Sequence, residues 1–389
     1  MAMHGKQPTI IDKVETMPHH LSLGVSMESK IKSRGAFHEI RRILEDLQGD
    51  LLFILMASDK ELFHSNVHAR LFLNNPRFKK AFFEKFSSKN ENQKKNQVTR
   101  EYKKIDLYMN YPGFNTLAIE NKLFADLGDN QLDRYTNQLK KSKKRWHGVL
   151  LTLNALNMES LSIAVRESWQ VITYGEFAEF LEKHINLLEV DEFEREFFFR
   201  YLKLIKQLAE LMTILLPESD DPHLEISLDI PGSIQVSINK MRYRLITEEI
   251  RSLIQPSFAS TAYELGYGIT HAKPFLELQF KLMNGDYLGW QYQEGQFRLF
   301  AKCNNLSGKG LHDERVKFAL DQYRDWFDFS QINQFLGPVT VIRPEEEGKL
   351  LKFDPNFVYK YAKTSELTIE NLVEISKLLQ IVTKGRDLI

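Results

Sequence analysis

Cysteine is almost missing from this sequence. Cys303 is its one thiol, so neither an internal disulfide nor a multi-cysteine zinc site can form, and a reducing cytoplasm is the expected compartment. Long apolar runs are missing too. Near the N-terminus the longest is Leu51 to Ala57, far short of the ~20 residues that a membrane span needs. Residues 1–25 hold no basic segment followed by an apolar stretch, so no signal peptide is expected, and residues 1–30 read as a flexible lead-in. An excess of charge of one sign is also absent: 52 Lys and Arg balance 52 Asp and Glu. No global positive field draws in nucleic acid, and contact with a polyanion must come from a local patch. This weighs against a DNA-coating protein more than against an enzyme, whose metal centre needs carboxylates. There is no internal repeat, helix-turn-helix or zinc finger, so base-specific reading has no support.

What is present is a core. Apolar residues make up 43% of the 389, with 27 Phe among them, enough for two packed domains rich in aromatic side chains. Ile40, Ile43, Leu44, Leu47 and Leu51 recur at helical spacing and predict a helix over 36–57. Helices over 60–73 and 76–86 follow. The stretch 87–97 has no aliphatic or aromatic side chain and reads as a solvated loop. The periodicity then shifts to strands at 98–102, 104–110 and 116–121, the last two joined by the turn YPGFN. A helix over 129–144, buried strands at 148–154 and 169–173, and helices at 174–186 and 190–216 complete an α/β domain with a mixed sheet. The two prolines and clustered acids of 216–223 mark a boundary, giving domains over 31–216 and 222–389. Beyond it, 224–230, 233–239, 275–282, 287–293 and 296–302 read as strands, with an Asn-Gly turn at 283–286 and helices over 312–327 and 367–383. The second domain is therefore α+β.

One constellation breaks the core pattern. Asp106 and Glu120 stand 120 − 106 = 14 residues apart, room for two strands and a short turn. Side chains alternate along a strand, so Glu120 and Lys122 share a face while Asn121 points away. A strand that is apolar through Leu117, Ala118 and Ile119 and then presents Glu and Lys departs from its pattern, as functional sites do. Mg²⁺ favours oxygen ligands and often takes only one or two carboxylates, with water and substrate phosphate completing its shell. Asp106 and Glu120 supply such carboxylates, the Asn121 carbonyl a third oxygen, and Lys122 a cation for the attacking water or the phosphorus oxygens. Spacing alone leaves open an ordinary surface hairpin with a Glu/Lys pair.

The stretch VTREYKKIDLYMNYPGFNTLAIENKLFADLGDNQLDRY (98–135) resembles the PD-(D/E)XK nuclease superfamily, in particular a branch with an IENK strand and a QL..Y helix. Ile105-Asp106 corresponds to the first acidic motif, with Ile where Pro is common. The 119–122 segment corresponds to the E-x-K element. Gln131 and Tyr135, four apart on one helix face, correspond to the Q-x-x-x-Y signature of RecB-like members. Upstream, 61–76 resembles a segment in which Glu61 is a helix-borne acid of the site, and Glu101 corresponds to a strand acid. The likeness spans about 60–186. It implies a restriction-endonuclease-like fold, a mixed central sheet in αβββαβ order flanked by helices, and phosphodiester hydrolysis with Mg²⁺ or Mn²⁺. It also implies DNA as the expected nucleic-acid partner and no membrane. An RNA nuclease and a catalytically inactive nucleic-acid or protein binding module stay open. The second domain is free to recognise a target, form a homo-oligomer or take a regulatory partner. An anti-phage role is an expectation by analogy.

Other residues have plainer readings. Glu61, His64 and His68 share a helical face and offer a transition-metal set, against packing of the two histidines. Lys140, Lys141, Lys143, Lys144 and Arg145 read equally as a phosphate patch or as cations at a helix C-terminus. Asp126 and Asp129 read as helix caps. Trp290, Tyr292, Phe297 and Phe300 read as core more than as a base-stacking surface, and Cys303 as structural.

Overall fold

In the computed structural model, residues 27–58, 60–123, 127, 130–142, 144–153, 161–227, 232–259, 261–346, 349–353 and 355–384 are described. The chain opens with helices α1 (Met27–Gln48) and α2 (Leu51–Ser58). The single helix expected over 36–57 is broken between them. Asp50 Oδ1 accepts from the Leu52 amide at 2.8 Å and so caps a new helix start. Next come α3 (Lys60–Asn74) and α4 (Pro76–Phe86). Pro76 opens α4 at a position where its missing N–H is not needed.

The polar stretch 87–97 is not wholly a loop, because β1 (Lys89–Asn90) pairs antiparallel with β4 (Gly113–Phe114). The main run of elements is β2 (Gln97–Tyr102), β3 (Ile105–Asn110), β5 (Thr116–Lys122), α5 (Gln131–Lys140), β6 (Trp146–Thr152), α6 (Ile163–Arg166), β7 (Trp169–Thr173), α7 (Tyr174–His184) and α8 (Glu192–Leu215). The sheet order is β2-β3-β5-β6-β7. β3 runs antiparallel to β2 and β5, whereas β5, β6 and β7 are parallel. This is the restriction-endonuclease-like mixed sheet in αβββαβ order that the resemblance implied.

Alternation along the strands gives the sheet two buried faces. Leu107, Met109, Leu117, Ile119, Val149 and Leu151 join a core with the helices α1 to α4, α7 and α8. Tyr108, Ala118 and Leu150 face the other way and pack with Leu132, Tyr135 and Leu139 of α5. Glu120 has the parity of Ala118 and so belongs to the α5 face, while Asn121 has the parity of Ile119 and belongs to the α3 face.

The second region begins with α9 (Gly232–Ile254), and here the strand reading fails. Residues 233–239 lie in that helix, and 224–227 form no strand. The alternation of Ile234, Val236 and Ile238 resembled a strand. Yet Ile234, Ile238, Met241 and Leu245 also recur at helical spacing, and they pack into the first core. Tyr243, Ile246, Ile250 and Ile254 of α9 pack into the second core. Burial on both sides stabilises the helix over the strand. Asn239 and Gln235 complete the arrangement by bonding the backbone of Ile226 at 2.8–3.0 Å.

The remaining elements are β8 (Tyr263–Thr270), β9 (Lys273–Lys281), β10 (Tyr287–Gln293), β11 (Gln296–Lys302), α10 (His312–Tyr323), β12 (Val339–Arg343), β13 (Leu351–Phe353), β14 (Phe357–Thr364) and α11 (Ile369–Lys384). They form an antiparallel sheet in the order β12-β14-β11-β10-β9-β8, with β13 pairing β14. The hairpin at 283–286 turns on Gly285 at φ +85°, a left-handed conformation that glycine adopts without strain. No helix among the described residues is long and apolar enough to cross a membrane.

Candidate active site

The antiparallel register pairs Leu107 with Ile119 and Tyr108 with Ala118. Continuing it by one rung sets Asp106 opposite Glu120, on the face toward α5. β5 lies in the middle of the sheet, and Lys122 ends it beside Thr152 of the parallel strand β6. The carboxyl ends of parallel strands, where successive connections diverge, are a general location for ligand sites in α/β sheets.

Glu120 is only 3% exposed. Its Oε1 accepts from Gln131 Nε2 at 2.7 Å and lies 3.2 Å from Lys122 Nζ. Its Oε2 is buried and has no hydrogen-bond partner among the described residues. Burial pushes the Glu120 carboxyl up to about 7; the Asp106 charge adds to the rise, and Lys122 pulls the other way. Asp106 is held separately. Its Oδ2 accepts from the backbone amide of Asn121 at 2.7 Å, a charge-assisted contact that fixes the carboxylate against the end of β5.

Helix α5 approaches with its first turn. Gln131 Nε2 carries two hydrogens and uses both, one on Glu120 and one on the Tyr135 hydroxyl at 2.9 Å. Tyr135 then donates to the Lys104 carbonyl at 2.7 Å. That carbonyl belongs to the turn that delivers Asp106, where Lys103 and Lys104 both take positive φ. Burial raises the Tyr135 pKa, and the nearby Glu120 and Asp106 charges act in the same direction. The four-residue spacing of Gln131 and Tyr135 thus joins the two carboxylates through one helix face.

Asp106, Glu120, Lys122, Gln131 and Tyr135 are brought together. Glu101 is not. It falls opposite Asp106 in the unbroken β2–β3 register, between the pairs Arg100–Leu107 and Tyr102–Ile105, at φ +53°. It is exposed, and its carboxylate is 3.5 Å from the Arg100 guanidinium. The side chain of Glu61, together with Asp126, Asp129 and Lys143, lies outside the described residues. Lys140, Lys141, Lys144 and Arg145 are exposed; Lys140 closes α5, about 13.5 Å along the axis from Gln131 at a rise of 1.5 Å per residue.

The donor set suits a hard divalent cation. Two carboxylates, one with an uncommitted buried oxygen, match the one or two that Mg²⁺ takes. Among the described residues no group of three or more His, Cys, Asp and Glu side chains gathers, which is unlike a structural zinc site. Of the transition-metal set of Glu61, His64 and His68, the two histidines are engaged elsewhere. His64 Nδ1 and His68 Nε2 are both directed at the Tyr201 hydroxyl, at 2.8 and 2.7 Å. Sequence reasoning missed Tyr201, a phenol on an otherwise apolar helix face. In the second region Trp290, Tyr292, Phe297 and Phe300 are buried, as a core reading requires. Cys303 is buried as well, which pushes its thiol up to about 12.

Neither a curated protein nor a solved structure matches the chain. A family model described as the PD-(D/E)XK nuclease superfamily matches residues 49–203, which run from α2 through the whole mixed sheet to α8 and include every residue gathered around Glu120. Over that stretch the chain is similar to the PD-(D/E)XK nuclease superfamily.

Proposed function

We propose that residues 31–216 form a nuclease that hydrolyses phosphodiester bonds of DNA, using a divalent cation, Mg²⁺ or Mn²⁺, held by Asp106 and Glu120. The main support is Oε2 of Glu120, a buried carboxylate oxygen without a hydrogen-bond partner among the described residues. Burying such an oxygen is costly unless positive charge meets it. Glu120 and Asp106 would hold a divalent cation that meets that need, with the Asn121 carbonyl as a further oxygen ligand. When bound, such a cation polarises the scissile phosphate and favours ionisation of water.

The other side chains then have distinct tasks. Gln131 ties down Oε1 of Glu120 and leaves Oε2 for the cation. Lys122 orients the attacking water and neutralises charge that builds on the phosphate oxygens. Tyr135 keeps α5 against the turn before Asp106. The exposed cations after α5 add sequence-independent contacts to the nucleic-acid backbone. Residues 222–389 form a second unit that recognises a target, oligomerises or gates the nuclease.

Incubation of the protein with plasmid, linear double-stranded, single-stranded and RNA substrates, in Mg²⁺ and in EDTA, tests the reading. Cleavage of DNA in Mg²⁺ alone, lost in Glu120→Ala and Lys122→Ala, is the expected result. Cleavage of RNA only would make the chain an RNA nuclease. No cleavage in any divalent ion would leave a binding module.

A further inference from the structure

On the face of β5 away from Lys122, the chain buries three polar rings in an otherwise apolar core. His64 and His68 of α3 and Tyr201 of α8 are all fully enclosed. The Tyr201 hydroxyl has a single hydrogen, so of the two imidazoles it touches it donates to one and accepts from the other. The Asn121 side chain acts on the His68 ring, and Asn121 Oδ1 is buried without a hydrogen-bond partner among the described residues.

That interaction sets a direction. A neutral His68 that turns its N–H toward the Asn121 amide leaves Nε2 as the acceptor for the Tyr201 hydroxyl. The Tyr201 oxygen then accepts from His64 Nδ1, and His64 Nε2 is left as a lone pair. His64 Nε2 is indeed buried without a hydrogen-bond partner among the described residues. The polarity therefore runs from His64 through Tyr201 and His68 to Asn121. Asn121 is fixed at two further points: Nδ2 donates to Ser65 Oγ at 2.8 Å, and the backbone N–H donates to Asp106 Oδ2 at 2.7 Å.

Three polar rings and an amide are a costly way to fill a core that Leu, Met and Phe would fill well. Their arrangement gives the cost a purpose. We infer that Tyr201, His68 and Asn121 form a positioning chain that locks the end of β5, so that the Asn121 amide holds the Asp106 carboxylate beside Glu120. The inference rests on the cation site proposed above. None of its ring members touches an ion or a substrate; each acts through Asn121. Outer partners of this kind commonly change metal affinity by about 10- to 100-fold when removed.

Calorimetric titration of Mn²⁺ into the metal-free full-length protein tests it, with far-UV circular dichroism as a check on the fold. The wild type should bind Mn²⁺, and Glu120→Ala should not. Tyr201→Phe keeps the ring, removes the hydroxyl and should bind Mn²⁺ about tenfold more weakly. Its kcat should fall while KM for DNA stays unchanged. Asn121→Ala cuts the chain at its other end, keeps the backbone N–H and should weaken Mn²⁺ binding similarly. Wild-type affinity in either folded variant overturns the positioning role and leaves the cation site standing. Absence of binding by the wild type, or unchanged binding by Glu120→Ala, overturns the cation site and the positioning role with it.

Discussion

Gln131 holds Glu120 by a single amide nitrogen: Nε2 lies 2.7 Å from Oε1 of the carboxylate and 2.9 Å from the Tyr135 hydroxyl. This contact would set which carboxylate oxygen faces the proposed cation. Gln131→Ala should free the carboxylate to rotate and lower kcat by about tenfold or more, with little change in KM for DNA. Gln131→Glu should do worse, because it sets a third carboxylate against Glu120. Steady-state kinetics in Mg²⁺ checks the order, and a Gln131→Glu enzyme as active as wild type would remove Gln131 from the site.

These contacts differ in how far the sequence discloses them. Asp106, Glu120 and Lys122 are legible because strand alternation is local: a turn of known length fixes which side chains share a face. Gln131 and Tyr135 are legible through the resemblance to the Q-x-x-x-Y signature, and their four-residue spacing sets them on one helix face. Tyr201 is not, since it reaches His64 and His68 across more than a hundred residues of chain. Glu101 could not be placed from its motif position, because a positive φ with no glycine to announce it accompanies a side chain that is exposed and set beside Arg100. Residues 233–239 misled because an alternating apolar segment also fits a helix buried on two sides. The strand β8 escaped notice because Gly266 and Gly268 dilute its alternation.

Glu120 is expected to cost stability while serving function. Its carboxyl is buried, is pushed up to about 7 by that burial and by Asp106, and has one oxygen unpartnered among the described residues. Glu120→Gln removes the buried charge and keeps the shape. Cleavage should drop by about 10³-fold, and Lys122→Ala should lose about 10²-fold or more. In EDTA, however, Glu120→Gln should be more stable than wild type by about 1 kcal/mol. Urea denaturation measures this; a variant less stable than wild type would mean that the carboxylate is well satisfied without a cation.

Gly148 and Trp169 pair across β6 and β7, and they leave no room for a side chain between them. A Cβ on Gly148 would stand 2.2 Å from Trp169 Cδ2. Trp169 cannot simply swing away, because its Nε1 donates to Thr136 Oγ1 of α5 at 2.9 Å. Gly148→Ala should therefore destabilise the fold by about 2–3 kcal/mol. By shifting α5 it should also lower activity at temperatures where the protein remains folded. Thermal melts and assays well below the transition separate the two effects, and a full-activity Gly148→Ala enzyme would show that α5 tolerates the displacement.

The buried imidazoles make the fold sensitive to mild acid. In the unfolded chain each histidine takes up a proton near pH 6.5. In the fold, burial holds His68 unprotonated down to about 3, and it lowers His64 well below the ordinary range, with His68 adding to the effect. Below pH 6.5 the unfolded chain thus binds more protons than the native one, so stability falls as pH falls. The slope approaches about 1.4 kcal/mol per pH unit for each imidazole. Between pH 7.5 and 5.5 the Glu120 carboxyl, raised to about 7, opposes this trend. The urea midpoint is therefore read in EDTA on Glu120→Gln, where it should drop, and adding His64→Leu should reduce that drop. A midpoint that holds constant across this interval would mean that water reaches the rings or that an acidic partner meets them when they charge.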